Sequence, residues 1–595
     1  MAIYKAPIRD MQFVLHELLD VERCFADLPG GEEASADIID AILEEGAKLC
    51  ENVVFPTNRT GDIEGCRFDD GEVRTPSGFK DAYDAIAAGG WTALACDPEY
   101  GGQGLPHTLS VFFEEMLQSC NMSLALYQGL TRGAYVAIHA HGTDALKRTY
   151  LPKLADGSWT GVMCLTESHA GTDLGLLRTR ATPDDDGNYR VSGTKIFITG
   201  GDHDITDNIV HLVLARLPDA PPGVKGISMF LVPKYLVNDD RTLGPRNAVL
   251  CGSIEHKMGI NGASTCVMNY ENAVGYLVGE PNKGLRAMFS MMNHERLMVG
   301  QEGLAQAEVA YQSAVAYARE RIQGRSLSGS KSPDKLADPI IVHPDVRRML
   351  LTGKAYNEAA RALLGWVSLH VDISERHPDS EKRERADDLV ALLTPVIKAF
   401  FTDYGHEVCN LCLQVFGGHG YISEWGMEQL VRDARVAQIY EGANGVHALD
   451  LTGRKLAMHN GRLVTRYLET LNAFLAEHTD DAALEEFTAP LSNAVAGLEA
   501  ATRWIAKASA SDPEEIGAAS YDYLKLMALV SFGYMWARAA AVALPKAEGD
   551  NSGFYQAKLT TARFYMKRLL PQAEALGKTL RSGSGSLLDL PAESF

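Results

Sequence analysis

The hydrophobic period changes twice along the chain, and this constrains the fold more than any single motif. From about residue 36 to 160, apolar residues recur at three- and four-residue spacing, as in IIDAILEEGAKLCENVV and PHTLSVFFEEMLQSCNMSLALYQ. From about 161 to 280, short alternating runs separated by turn residues take over: YRVSGTKIFITGG, NIVHLVLARL, GISMFLVPKY and STCVMNYENAVGYLVG. Helical spacing returns at about 282, with candidate helices at 283–322, 341–372, 385–416 and 427–440, and continues to the end. The pattern predicts a mostly α protein with a central antiparallel β domain. Its expected divisions are 1–160 (helical), 161–280 (β), 281–455 (helical bundle) and 456–595 (a further helical block). Without βαβ alternation, a doubly wound dinucleotide fold is not expected.

Charge and cysteine usage narrow the function classes. The net charge of −21 repels phosphate backbones, so nucleic-acid binding is not expected. The ten cysteines are irregularly spaced, and the one CxxC, Cys409 to Cys412, lies in a helical run without a second pair. Two core thiols are expected there rather than a metal or redox site, and reduced thiols point to the cytoplasm. The N-terminal MAIYKAPIRDMQFVLHELLD lacks an apolar leader core. The apolar run Leu526 to Ala537 is shorter than the roughly 20 residues of a membrane span. The serine- and glycine-rich 581–586 reads as a flexible tail, and 326–339 as a loop.

General catalytic motifs are missing. There is no GxxxxGK[ST], no GxSxG and no HExxH; the dipeptides His16-Glu17, His294-Glu295 and His406-Glu407 lack a second histidine. Three segments stand out instead. In CLTESHAGTD (164–173), the hydroxyls of Thr166 and Thr172 and nearby amides could hold a phosphate or a ring edge, or form a helix-capping turn. In TKIFITGG (194–201), Phe197 and Thr199 fall on one strand face by parity; the segment could meet a planar ligand or be a core strand. In 414–445, Gly417, Gly418 and Gly420 close a helix, and Glu441 follows Ile439-Tyr440 ahead of Gly442. A carboxylate among such neighbours suits a general base, or is simply a solvated helix-end glutamate.

Together these segments resemble the acyl-CoA dehydrogenase family over about residues 36–455. The resemblance rests on Leu165-Thr166-Glu167 with Ala170-Gly171-Thr172-Asp173, on Lys195-Ile196-Phe197-Ile198-Thr199, on Gln414-Val415-Phe416-Gly417-Gly418, and on Arg432-Asp433 with Ile439-Tyr440-Glu441-Gly442. It implies FAD as cofactor and Glu441 as catalytic base. Thr166 and Thr199 would bond the flavin ring, Phe197 would pack on it and Thr172 would help hold the pyrophosphate. Arg321, Gln414 and Gly418 would contact the FAD of a neighbouring subunit. Arg296, Asn293 and Gly442 would belong to the substrate side, with Arg296 positioning the base. No metal is implied.

Three positions depart from the family pattern. Ala443 stands where a threonine is common, Asn293 where a carboxylate is, and Ile322-Gln323-Gly324-Arg325 lacks the usual aromatic. The block 456–595 resembles the C-terminal extension of the very-long-chain branch, which implies a homodimer. The whole chain is also similar to the bacterial 3-methylmercaptopropionyl-CoA dehydrogenase group, which implies a role in dimethylsulfoniopropionate breakdown. Electrons would pass to electron-transfer flavoprotein. Medium- or long-chain fatty acyl-CoA dehydrogenation, an acyl-CoA oxidase and a DNA-binding flavoprotein of the same fold are the alternatives; the charge argues against the last.

Overall fold

Alternation in the middle of the chain does produce strands, and helical spacing on either side produces helices. The computed structural model describes residues 2–595, which form two compact units: Glu45–Met298, and the segment up to Glu44 together with Val299–Phe595.

In the first unit, helices α1 (His107–Cys120) and α2 (Met122–His141) precede a seven-stranded sheet. Its strands are β1 (Trp159–Cys164), β2 (Arg180–Pro183), β3 (Tyr189–Thr199), β4 (Asn208–Arg216), β5 (Ile227–Pro233), β6 (Val249–Ile254) and β7 (Thr265–Val278). The order is β6-β7-β3-β2-β4-β1, with β5 pairing both β7 and β4. The sheet is not purely antiparallel as expected: β1 runs parallel to β4 from Trp159 opposite Asn208 to Cys164 opposite Val213, and β2 meets β4 in parallel at Arg180. A long connection through β2 and β3 separates β1 from β4, which a parallel pair requires. All six residues of β1 are buried, as parallel strands tend to be, so alternation is no guide to its direction.

Both faces of the sheet are covered. Leu212, Leu214 and Leu231 pack with helix residues Ala134 and Ile138, while Ile209, Val213 and Phe230 pack on the other side. The segment expected to be wholly helical also contains a hairpin, Arg67–Asp69 with Glu72–Arg74. Its Asp70-Gly71 turn has positive φ at both residues, the backbone that a two-residue hairpin needs.

Helix α3 (Gly284–Glu320) contains the boundary between the units. The second unit continues with α4 (Pro344–Arg376), α5 (Ser380–Phe416), α6 (Met427–Val436), α7 (Asn444–Asp450), α8 (Arg462–Glu477), α9 (Glu485–Ala508), α10 (Glu514–Ala543) and α11 (Phe554–Phe564). The apolar stretch around 526–537 belongs to a helical run, Glu514–Lys546, that is long and apolar enough to cross a membrane by length and composition. Of its most apolar window 83% is buried inside the protein, the mark of a central helix that is hydrophobic all round. Phe532 meets Phe400, Phe401 and Tyr404 at ring distances of 5.3, 5.4 and 5.8 Å, and the Trp536 indole donates to the Ala355 carbonyl at 3.0 Å. The apolar residues of the C-terminal block therefore find their partner surface in α4 and α5 of the same chain.

The N-terminal segment is tied into this unit by charge. Asp10 is buried with Arg361 and Lys558; burial alone would raise its carboxyl, but the two cations hold it down at about 2. The expected flexible tail is also pinned. Ser584 N donates to Glu515 at 3.0 Å, and short helical turns cover Leu580–Ser582 and Gly585–Leu588.

Candidate functional site

In the first unit, the loop after β1 is knotted to β3 by a buried ion pair. Glu167 and Ala170 exchange backbone hydrogen bonds at 3.0 Å, making a tight turn. The Glu167 carboxylate accepts from Lys195 Nζ at 2.9 Å, Thr179 Oγ1 at 2.6 Å, Arg178 N at 2.8 Å and Thr179 N at 3.0 Å. Burial would raise this carboxyl, but Lys195 and the surrounding donors hold it down at about 2. Lys195 is itself fully buried and donates to the Leu165 carbonyl at 2.9 Å; burial pulls its ammonium below the usual lysine range. Ile196 N donates to Thr166 O at 2.9 Å, so the loop carrying Thr166 lies against β3. Thr172 is exposed beside Gly171, at which a Cβ would meet open space.

Strand β3 departs from simple parity. Met268 pairs with Lys195 and Cys266 with Ile198, a β-bulge that places two residues, Ile196 and Phe197, against one, Val267. Lys195 and Ile198 are both buried although three apart, so the bulge interrupts the alternation that placed Phe197 and Thr199 on one face. Phe197 lies in the bulge with φ +59° and is 59% exposed. A bulky residue held in the left-handed region, with its ring in solvent, is costly unless the ring has a use.

In the second unit, α6 stops at Val436, four residues before the expected end, and a turn leads to α7. Glu441 sits in that turn, not on a helix, with φ +54°; Gly442 follows with φ +92°. A Cβ at Gly442 would come within 2.9 Å of His447 Nε2, which pairs with the Glu441 carbonyl oxygen at 3.0 Å. Only glycine fits there. Beneath the turn, Lys398 Nζ donates to Gly442 O at 2.7 Å and to Asn444 Oδ1 at 3.0 Å. Beside it, the Tyr440 hydroxyl donates to Glu302 Oε2 at 2.5 Å. Burial pushes the Glu302 carboxyl up to about 8; Tyr440 and Lys398 act against this, and Glu441 adds to it. Sequence reasoning missed Glu302, Lys398 and Asn444. Glu302 and Lys398 lie far from Glu441 in sequence and are brought in by the packing of α3 and α5; Asn444 is close by on α7 but carries no motif.

Three of the residues expected to contact FAD lie elsewhere on this unit. Tyr317 stacks on Phe416 at 4.2 Å and its hydroxyl pairs with His419 Nδ1 at 2.9 Å; His419 stacks on Trp425 at 4.7 Å. This aromatic cluster places Arg321, one turn beyond Tyr317, near the turn that carries Gln414 and Gly418. All three side-chain positions are exposed. Gly417 has φ +59°, and Cβ atoms at Gly417 and Gly418 would meet nothing within 4 Å. Asn293 and Arg296 belong to the first unit, where Arg296 Nη1 donates to Asn293 Oδ1 at 3.3 Å. Cys409 and Cys412 are buried free thiols one turn apart in α5. No group of three or more His, Cys, Asp or Glu that could hold a metal occurs among the described residues.

The chain matches four successive family descriptions: "Acyl-CoA dehydrogenase, N-terminal domain" over residues 40–158, "Acyl-CoA dehydrogenase, middle domain" over 162–273, "Acyl-CoA dehydrogenase, C-terminal domain" over 282–456, and "Acetyl-CoA dehydrogenase C-terminal like" over 467–591. It is 42% identical to a 3-methylmercaptopropionyl-CoA dehydrogenase of Ruegeria pomeroyi, over 98% of this chain and 99% of that one. It is 33% identical to a butyryl-CoA dehydrogenase of Syntrophomonas wolfei, over 100% and 99%. Caenorhabditis elegans ACDH-11, solved in complex with C11-CoA, shares the fold with a TM-score of 0.77 at 19% identity, over 95% of this chain and 91% of that one. A β unit with a tethered Thr166 loop and an exposed Phe197, a helical unit with a glutamate in a strained turn, and full-length identity at this level lead to one conclusion: the chain is a member of the acyl-CoA dehydrogenase family, an oxidoreductase by descent and by architecture.

Proposed function

We propose that this enzyme desaturates a short acyl-CoA thioester between Cα and Cβ, with 3-methylmercaptopropionyl-CoA converted to methylthioacryloyl-CoA as its physiological reaction. The 42% identity across the whole chain carries the substrate reading. Glu441 takes the α-proton, and its strained turn holds the carboxylate in one place for that purpose. The Glu441 backbone N–H serves as a donor to the thioester oxygen as enolate charge develops. Glutamine at 441 is expected to lower turnover by at least ~10²-fold while leaving substrate binding intact.

FAD is the cofactor that fits the residues present. Thr166 and Thr199 would bond its ring, the exposed Phe197 would pack on it, and Thr172 beside the open Gly171 would meet the pyrophosphate. Arg321, Gln414 and Gly418, exposed around the open glycine turn, would serve the FAD of a second copy. Bound FAD supplies the acceptor for the β-hydrogen, which leaves as hydride. We take the working assembly as a homodimer, electron-transfer flavoprotein as the electron acceptor, and the cytoplasm as the compartment. Ten free thiols fit a reducing compartment.

A second reading, a butyryl-type short linear acyl-CoA dehydrogenase, is favoured by the 33% identity to such an enzyme over the full chain. Steady-state kcat/KM across an acyl-CoA panel that includes the methylthio substrate separates the two. A preference for butyryl-CoA over the methylthio thioester would overturn the first reading.

A further inference from the structure

The C-terminal helical block reaches the Glu441 turn through a chain of hydrogen bonds. Near the start of α10, the Tyr521 hydroxyl donates to Asp403 Oδ2 at 2.5 Å. Asp403, on α5, accepts through Oδ1 from both Asn444 Nδ2 and Gln438 Nε2, each at 2.8 Å. Asn444 Oδ1 accepts from Lys398 Nζ, which also donates to the Gly442 carbonyl oxygen. Asn444 N donates to Gln438 O at 3.2 Å and closes the loop. Gln438 and Asn444 flank Glu441 by three residues on either side. One carboxylate oxygen of Asp403 thus holds both ends of the turn, and the other is held by Tyr521.

Asn444 and Lys398 are buried, which strengthens these bonds and fixes their geometry. Lys525 lies over the Tyr521 ring at 4.9 Å and orients it. A glutamate at φ +54° persists only where its surroundings over-determine the backbone, and this network does so from beneath.

We propose that Tyr521 and Asp403 are positioning residues for Glu441, so that the C-terminal block serves the reaction and does not merely cover the helical bundle. The proposal rests on the reading of Glu441 as base. A hydroxyl on one helix sets the rigidity of a turn built from α5 and the α6–α7 connection. Losing it lets the carboxylate drift from the α-carbon without altering any group that touches substrate.

Full-length holoenzyme variants test this. Tyr521→Phe is expected to keep the thermal midpoint, the flavin content and KM, and to lower kcat roughly ten-fold, the scale of a sub-ångström misplacement of a reacting group. With α-deuterated substrate its isotope effect should rise, because proton abstraction becomes more rate-limiting. Tyr523→Phe is the control: its hydroxyl pairs with Thr502 at 2.7 Å inside the C-terminal block, and kcat should not change. In a Glu441→Gln background, Tyr521→Phe should cause no further loss, since the group it positions is gone.

Should Tyr521→Phe lose stability, Asp403→Asn, which keeps the shape and weakens the same bonds, carries the same expectation. Wild-type kcat and isotope effect in both variants would overturn the proposal. So would a kcat loss that persists in full in the Glu441→Gln background, or one that appears only with a lowered thermal midpoint. A Glu441→Gln enzyme with near-normal turnover would instead refute the base assignment itself, whatever Tyr521→Phe does.

Discussion

Replacing Lys195 by methionine tests the physical basis of the loop that carries Thr166. Lys195 is fully buried and bonds Glu167 and the Leu165 carbonyl; Glu167 in turn receives Thr179 and Arg178. A carboxyl moved from its ordinary 4.5 to about 2 carries about 3 kcal/mol of preference for its ionised form. Burial pulls the lysine's own ammonium downward, a cost that the substitution relieves and that offsets part of the loss. Methionine leaves a buried carboxylate with hydroxyl and amide donors and the His169 ring at 3.4 Å but no ammonium, and breaking such a pair costs about 3–5 kcal/mol. We expect a net loss of about 3 kcal/mol at pH 7, or about 6–12 °C in Tm for a unit of this size.

The pH dependence has a definite sign. Glu167 is depressed in the folded state, so its contribution is present above about 4.5 and is lost as pH falls through about 2. Denaturant unfolding of the full chain at pH 7 and at pH 3, for wild type, Lys195→Met, Glu167→Gln and the double variant, reads this directly. The Lys195→Met deficit should shrink at pH 3, and the double variant should lose less than the sum of the singles. A loss below about 1 kcal/mol at pH 7, or a deficit that does not change with pH, would refute the reasoning.

Three further outcomes follow from the second unit. Arg321→Ala should release FAD more readily by roughly 1.5–3 kcal/mol, the worth of a charge-assisted contact, read by flavin fluorescence during dialysis; unchanged retention counts against a phosphate contact there. Glu302 is raised to about 8, so its contribution to stability is full below about 4.5 and is lost as pH rises through about 8. Glu302→Gln should flatten that decline, by at most about 1.4 kcal/mol per pH unit, in urea titrations between pH 5 and 9. Light scattering should give a mass near twice 64.7 kDa, because the C-terminal helices already cover α4 and α5; four times that value refutes the step from that covering to a dimer.

Much of the architecture was legible because periodicity is a local property. Helix α5 was expected over 385–416 and spans Ser380–Phe416; α3 was expected over 283–322 and spans Gly284–Glu320. The errors arose where local pattern does not decide. The parallel pairing of β1 with β4 is set by what covers both faces of a strand, and its continuous apolar run would look the same in either direction. The bulge at Phe197 is a register event between two strands, invisible to parity along one. The end of α6 at Val436 depends on a turn whose strain is maintained by groups from other helices.

By itself the sequence determined the α–β–α order and the family, and it singled out one glutamate as the candidate base, because motif residues lie close together and their spacing survives in one dimension. Only the tertiary structure decided what supports them. Lys195 beneath the Thr166 loop, Glu302 beside Tyr440, and Tyr521 behind Asp403 are separated from their partners by about 30 to 140 residues. Each is an ordinary lysine, glutamate or tyrosine in its own segment. Burial gives each its function: it removes water as a competing partner, so that one hydroxyl or one ammonium decides where a carboxylate or a turn can sit.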